Sequence, residues 1–241
     1  MKKTILFLLA SSTLSPGALL LNEEFSYADG NLVPNGGWTT HSGTAGQIQV
    51  SAGAITLTDS QSEDVNVPLG ITLTTGSVYG AFDFTVTAGA VVGGTDFEYF
   101  ASFGNGTADF TARVDVVAPT GGGDFTLGIS GGSGTAQDTW GSDLTFSTTY
   151  RALIKYDRDS GIASLYVDPA SEASASVSGT ADTNDVTNFY FRESNSSANE
   201  TIVIDNLRVA TTFSEALVVP EPSSTALLGL GGLALLIRRK R

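Results

Sequence analysis

The chain contains no cysteine. That excludes disulfide staples, thiol nucleophiles, cysteine-ligated zinc and iron–sulfur chemistry at once. It also has a single histidine, His41, in the loop-like string WTTHSGTAG. A His-based metal cluster is therefore impossible, and a Ser-His-Asp triad would have to run through that one residue. His41 is read as a surface or turn residue, with no G-x-S-x-G elbow to accompany it. Basic residues are scarce as well. Of the 12, Lys2, Lys3, Arg238, Arg239, Lys240 and Arg241 lie at the two ends. Only Arg113, Arg151, Lys155, Arg158, Arg192 and Arg208 remain in the body, against 25 acidic residues between Glu23 and Glu221. So acidic a body repels phosphate backbones and anionic lipid headgroups, which excludes nucleic acid as a partner.

What is present is an all-β pattern between two address-like ends. The start reads Met1-Lys2-Lys3 and then TILFLLA, a basic stretch followed by a short apolar run. This is the layout of a secretory signal peptide, with cleavage expected between residues 12 and 21 and passage through the secretion translocon. The end reads VPEPSSTALLGLGGLALLIRRKR. It joins Pro220-Glu221-Pro222, an uncharged run from Ser223 to Ile237, and the basic cluster Arg238-Arg239-Lys240-Arg241. As a helix that run would reach roughly 22 Å at 1.5 Å per residue, short of a ~30 Å hydrocarbon core that snorkelling arginines and local thinning would have to make up. The basic cluster is expected to stay cytoplasmic as an anchor. The expected division is a signal peptide at 1–21, a sandwich domain at 22–216 and a sorting tail with a membrane segment at 217–241.

Between the ends, apolar residues alternate with polar ones: Ile48/Val50, Ile55/Leu57, Phe82/Phe84/Val86, Phe97/Tyr99, Ala152/Ile154/Tyr156, Leu165/Val167, Phe189/Phe191 and Ile202/Ile204. Period two puts one face of each strand on a core and the other in water. Gly- and Asp-rich strings at 104–109, 119–124, 130–135 and 157–161 punctuate the strands. About a dozen strands without a long amphipathic helix predict two packed antiparallel sheets.

Two resemblances add to this reading. The tripartite tail closely resembles the PEP-CTERM sorting signal, in which the Pro-Glu-Pro motif, membrane segment and basic end are recognised by exosortase and the tail is removed or exchanged. The body, through residues 22–57, the hairpin-like 150–169 and the closing strand 201–213 with Asp205-Asn206-Leu207 at its centre, resembles concanavalin A-like lectin/glucanase (LamG-like, jelly-roll) sandwiches. That fold hosts lectins, glycosidases and structural modules alike, so the site must decide. The hydrolase branch carries E-x-D-x-x-E on one strand, and the chain lacks it. Glu63-Asp64 are adjacent and face oppositely; Asp96 and Glu98 share a face but lack a third acid. The Gly-rich loops lack the Lys and Ser/Thr of a phosphate-binding loop. Asp157 and Asp159 begin D-x-D-x-G like a calcium loop, yet Asp168 stands where the closing glutamate would be, and the same string makes a good hairpin turn. Calcium is the one cofactor this leaves open. For sugar binding, the aromatic platform candidates are Trp38 and Trp140, with Tyr79 and Tyr99 beside them. The expectation is an exported, exosortase-sorted, non-catalytic envelope or matrix protein, structural or associated with exopolysaccharide or other surface glycans. The alternatives are a dedicated carbohydrate-binding module, calcium-dependent or not, and a divergent glycoside hydrolase.

Overall fold

The computed structural model describes residues 17–87, 98–106, 109–180, 183–193 and 200–218. In chain order the strands are β1 (Leu19–Glu23), β2 (Gly30–Asn31), β3 (Thr39–Ser42), β4 (Gln49–Ser51), β5 (Ala54–Thr58), β6 (Asp64–Leu73), β7 (Ser77–Thr87) and β8 (Glu98–Gly104). They continue with β9 (Phe110–Val117), β10 (Thr126–Ser130), β11 (Asp138–Thr139), β12 (Thr149–Asp157), β13 (Ile162–Val167), β14 (Val177–Thr180), β15 (Val186–Arg192) and β16 (Thr201–Ala210). One short helix, α1 (Phe213–Leu217), closes the described body.

These strands make the expected sandwich of two antiparallel sheets. A nine-stranded sheet runs β14-β13-β12-β7-β16-β5-β4-β2, with β1 also paired to β16. A seven-stranded sheet runs β11-β10-β9-β8-β15-β6-β3. Alternation explains the core. Phe82, Phe84, Val86, Ala152, Ile154, Tyr156, Phe189, Phe191 and Ile204 are all buried between the sheets. Phe82 packs edge-on against Phe191 at 5.7 Å and Phe189 at 6.3 Å, which ties β7 of one sheet to β15 of the other.

One expectation needs correction, and the two expected domain boundaries can be set against the elements around them. Tyr99 does not share the core face, because β8 carries bulges between Tyr99 and Ala101 and between Ala101 and Phe103. Each extra residue shifts the parity, so Phe100 and Phe103 turn inward instead. The boundary drawn at 21/22 falls inside β1, which pairs Leu19 with Ala210 and Leu21 with Val209. The boundary at 216/217 falls inside α1, whose Phe213 packs against Tyr166 at 5.4 Å and Tyr79 at 6.1 Å. The Ser223–Ile237 helix lies outside the described residues. Among those described, no helix is long and apolar enough to cross a membrane.

Candidate functional site

The outward face of the seven-stranded sheet is not the plain polar surface that alternation leads one to expect. On β15, the residues alternating with core Phe189 and Phe191 are Asn188, Tyr190 and Arg192. Across Gly104 of β8, Tyr190 meets Phe110 of β9 edge-to-face at 5.0 Å. A Cβ on Gly104 would come within 2.8 Å of the Tyr190 ring, so only glycine leaves room for this approach. His41 closes the group, edge-on to Tyr190 at 5.4 Å and to Phe110 at 5.6 Å. It is a half-buried residue of β3, not a loop residue, placed where that strand's register slips between Thr40 and Ser42.

Beside this cluster, Tyr99 lies 6.1 Å from Phe110. The guanidinium of Arg192 sits 4.5 Å and that of Arg113 4.8 Å from the Tyr99 ring centre. Cation–π attraction holds both arginines against the ring. Arg192 approaches Asp64 at 3.7 Å, and Ser42 donates to the same carboxylate at 2.5 Å. Arg113 donates to the Ser133 carbonyl at 3.0 Å. Amide groups continue the face: Thr39 donates to Asn66 Oδ1 at 2.9 Å, and Asn188 lies against the same oxygen at 3.4 Å. Burial pushes the Tyr99 and Tyr190 phenols up, so both stay neutral at pH 7. Burial also raises Asp64, opposed by the Ser42 hydrogen bond and Arg192. The result is a strip in which half-exposed His41, Tyr99 and Phe110 surround the buried Tyr190 ring, flanked by donors and acceptors across β3, β6, β15, β8 and β9.

A second concavity, of about 300 Å³, opens on the outer face of the nine-stranded sheet between Asp83, Thr85, Thr149, Asp205 and Asn206. Asn206 sits at the bulge of β16 with φ 52° and donates to Asp83 at 2.9 Å and Asp205 at 3.2 Å. Arg151 pairs with Asp83 at 2.8 Å. No ring lines it among the described residues.

The other sequence candidates are distributed differently. Trp38 is fully buried; it stacks on Phe191 at 5.7 Å and donates through Nε1 to Glu23 at 3.1 Å. The turn at Asn35–Gly37 swings it inward, so it offers no face to a sugar. Trp140 is half-buried against the core. Tyr79 is covered by α1 and donates to Glu172 at 2.9 Å. Asp157 and Asp159 form a hairpin turn. Asp157 accepts the backbone N–H groups of Asp159 and Ser160, and Asp159 that of Gly76. Among the described residues no group of three or more His, Asp or Glu able to hold a metal occurs. Asp96, Pro220, Glu221, Pro222, Arg238, Arg239, Lys240 and Arg241 lie outside the described residues, and Glu98 opens β8.

Residues 218–241 match the family model of the PEP-CTERM protein-sorting motif. The chain carries a PEP-CTERM sorting signal. That signal indicates export and sorting to the surface or exterior by exosortase. No curated protein matches the chain in sequence. Among solved structures the body ahead of the PEP-CTERM tail is similar to peanut lectin, at 13% identity and a TM-score of 0.52, covering 81% of this chain and 97% of that one. It is also similar to a Lotus tetragonolobus seed lectin, with 13% identity, a TM-score of 0.50 and coverage of 73% and 94%. A Bauhinia forficata lectin in complex with GalNAc gives 15% identity, a TM-score of 0.50 and coverage of 80% and 98%. The shared feature is the legume-lectin-like, concanavalin A-like sandwich.

Proposed function

We propose that this is an exported glycan-binding protein that engages exopolysaccharide or other surface glycans through the outer face of its seven-stranded sheet. In this reading the leader is removed ahead of Gly17, the PEP-CTERM tail holds the body at the membrane through Ser223–Ile237, and exosortase then releases or transfers it to the envelope or matrix. The observation that carries the proposal is the strip of rings and fixed polar groups on a sheet face that would otherwise be uniformly polar. Tyr99 and Phe110 supply apolar area for the C–H face of a sugar ring, with buried Tyr190 packed edge-to-face behind Phe110. Arg113, Arg192, Asp64 and Asn188 surround that area with donors and acceptors for hydroxyls, and buried Asn66 fixes Asn188. Sugars present both kinds of surface on one ring, and an array that alternates them over several strands suits a chain of residues better than a compact ligand. The non-catalytic part of the reading rests on the missing E-x-D-x-x-E pattern in the sequence. The direct test is affinity electrophoresis of residues 17–218 through gels containing neutral and acidic bacterial polysaccharides. Retardation by at least one of them is expected. Migration unchanged by every polysaccharide overturns the reading and leaves a structural role.

A further inference from the structure

Both ends of the described body leave from one corner. The Ala18 N–H donates to Thr211 Oγ1 at 2.9 Å, and the Thr211 N–H donates to the Ala18 carbonyl at 2.9 Å. Thr212 follows as the N-cap of α1, its side chain accepting from the Glu215 N–H. Five helical residues later, about 7.5 Å along the axis, comes Val218, the last described residue. The leader's junction and the tail's junction are therefore neighbours, both beside the outer face of the nine-stranded sheet.

This corner is also unusually apolar for so acidic a body. Val218 and Leu19 are 50% and 44% exposed, the most exposed large hydrophobic side chains among the described residues. Leu19 stands opposite Ala210, which packs with Phe213 beneath α1. An open cavity of about 500 Å³ lies here, walled by Phe213, Leu217 and Val218 on one side and Ala170 and Ser171 on the other. Glu172, the nearest carboxylate on that wall, is paired with Lys155 at 2.8 Å.

We infer that this corner rests on the membrane–water interface while the PEP-CTERM tail is attached, which turns the outer face of the seven-stranded sheet away from the bilayer. The inference rests on the reading that Ser223–Ile237 enters the membrane. From Val218 to Ser223 the chain spans at most roughly 17 Å when extended, and the polar headgroup zone takes up about 5–8 Å of that. That leaves Val218 no more than roughly 12 Å beyond the headgroup zone, near enough for exposed Leu19 and Val218 to settle into it and lose contact with water. The net acidity of the body opposes adsorption to an anionic surface, so the contact lasts only as long as the tail. The seven-stranded face lies on the far side of two sheets about 10 Å apart, and it stays open to extracellular glycan before release.

The absence of native cysteine makes the test clean. Single variants Ser171→Cys and Ser214→Cys at the corner and Thr39→Cys on the far face are labelled with an environment-sensitive fluorophore in residues 17–241. Each is bound to phosphatidylcholine vesicles carrying a headgroup nitroxide lipid. The labels at 171 and 214 should be quenched several-fold more strongly than that at 39, and the difference should vanish in residues 17–218. Co-flotation of residues 17–241 with the vesicles is the control. Failure to float overturns the membrane reading of the tail and this inference with it. Flotation with equal quenching at all three positions, or stronger quenching at 39, overturns the orientation alone.

Discussion

Removing residues 17–21 tests where the folded body begins. A chain starting at Asn22 loses the Leu19–Ala210 and Leu21–Val209 pairings of β1 with β16 and the two hydrogen bonds between Ala18 and Thr211. Leu20 and Leu21 are partly buried against the core; at about 2 kcal/mol for a fully buried leucine, they contribute roughly 2 kcal/mol together. The lost hydrogen bonds add about 2 kcal/mol net. These contacts set an upper limit of about 4 kcal/mol on the loss, which the freed chain entropy of five residues reduces, and a lower Tm is expected for the shorter chain. Thermal unfolding followed by circular dichroism on residues 17–218 and 22–218 measures it. Equal midpoints would show that residues 17–21 add nothing to the stability of the fold and would refute the reasoning from β1.

Three further outcomes follow from the same contacts. Trp38→Ala should cost about 3–5 kcal/mol by opening a core cavity and leaving Glu23 short of a donor, whereas the folded fraction keeps its full affinity for polysaccharide; weaker binding without loss of stability would return Trp38 to the sugar site. Burial raises Glu193 from 4.5 to about 7. Because the folded state holds that proton more tightly, stability is greatest below pH 4.5 as far as this group is concerned and falls by about 3 kcal/mol as pH rises to 7. Denaturant midpoints taken from pH 5 to pH 8 should therefore decline, less steeply in Glu193→Gln, and parallel declines in the two proteins would contradict the assignment. Calcium or a chelator should leave the Tm of residues 17–218 unchanged, since Asp157 and Asp159 already accept backbone N–H groups; a rise of several degrees with calcium would refute the turn assignment.

The sheets and most of the core were legible because strict alternation needs no long-range information. Phe82/Phe84/Val86 and Phe189/Phe191 face the core as their spacing requires. Parity fails wherever a bulge intervenes, so alternation alone puts Tyr99 with the core residues, and the Thr-, Ser- and Gly-rich string around His41 reads as a loop although β3 runs through it. Trp38 follows Gly36 and Gly37, a sequence context that suggests exposure, while its burial depends on Phe25 and Phe191 arriving from other strands. The start of the fold was illegible for another reason. Leucines at 19–21 satisfy an apolar leader and an edge-pairing strand equally well. The candidate face did leave a trace: Asn188, Tyr190 and Arg192 are the alternates of Phe189 and Phe191, and an aromatic and an arginine on the solvent parity of one strand is the signal. Arg113 and Phe110 become its neighbours only through the pairing of β8 with β9.

Comparing Tyr99→Ala with the unaltered body, on whichever polysaccharide retards it, shows whether the ring-lined face of the seven-stranded sheet holds glycan. Removing one stacking ring should weaken binding about tenfold, equivalent to about 1.4 kcal/mol, with Tm unchanged within a few degrees. Undiminished affinity in both Tyr99→Ala and Arg192→Ala, with the same loss produced instead by Asp205→Ala, would move the site to the opposite sheet and contradict the account.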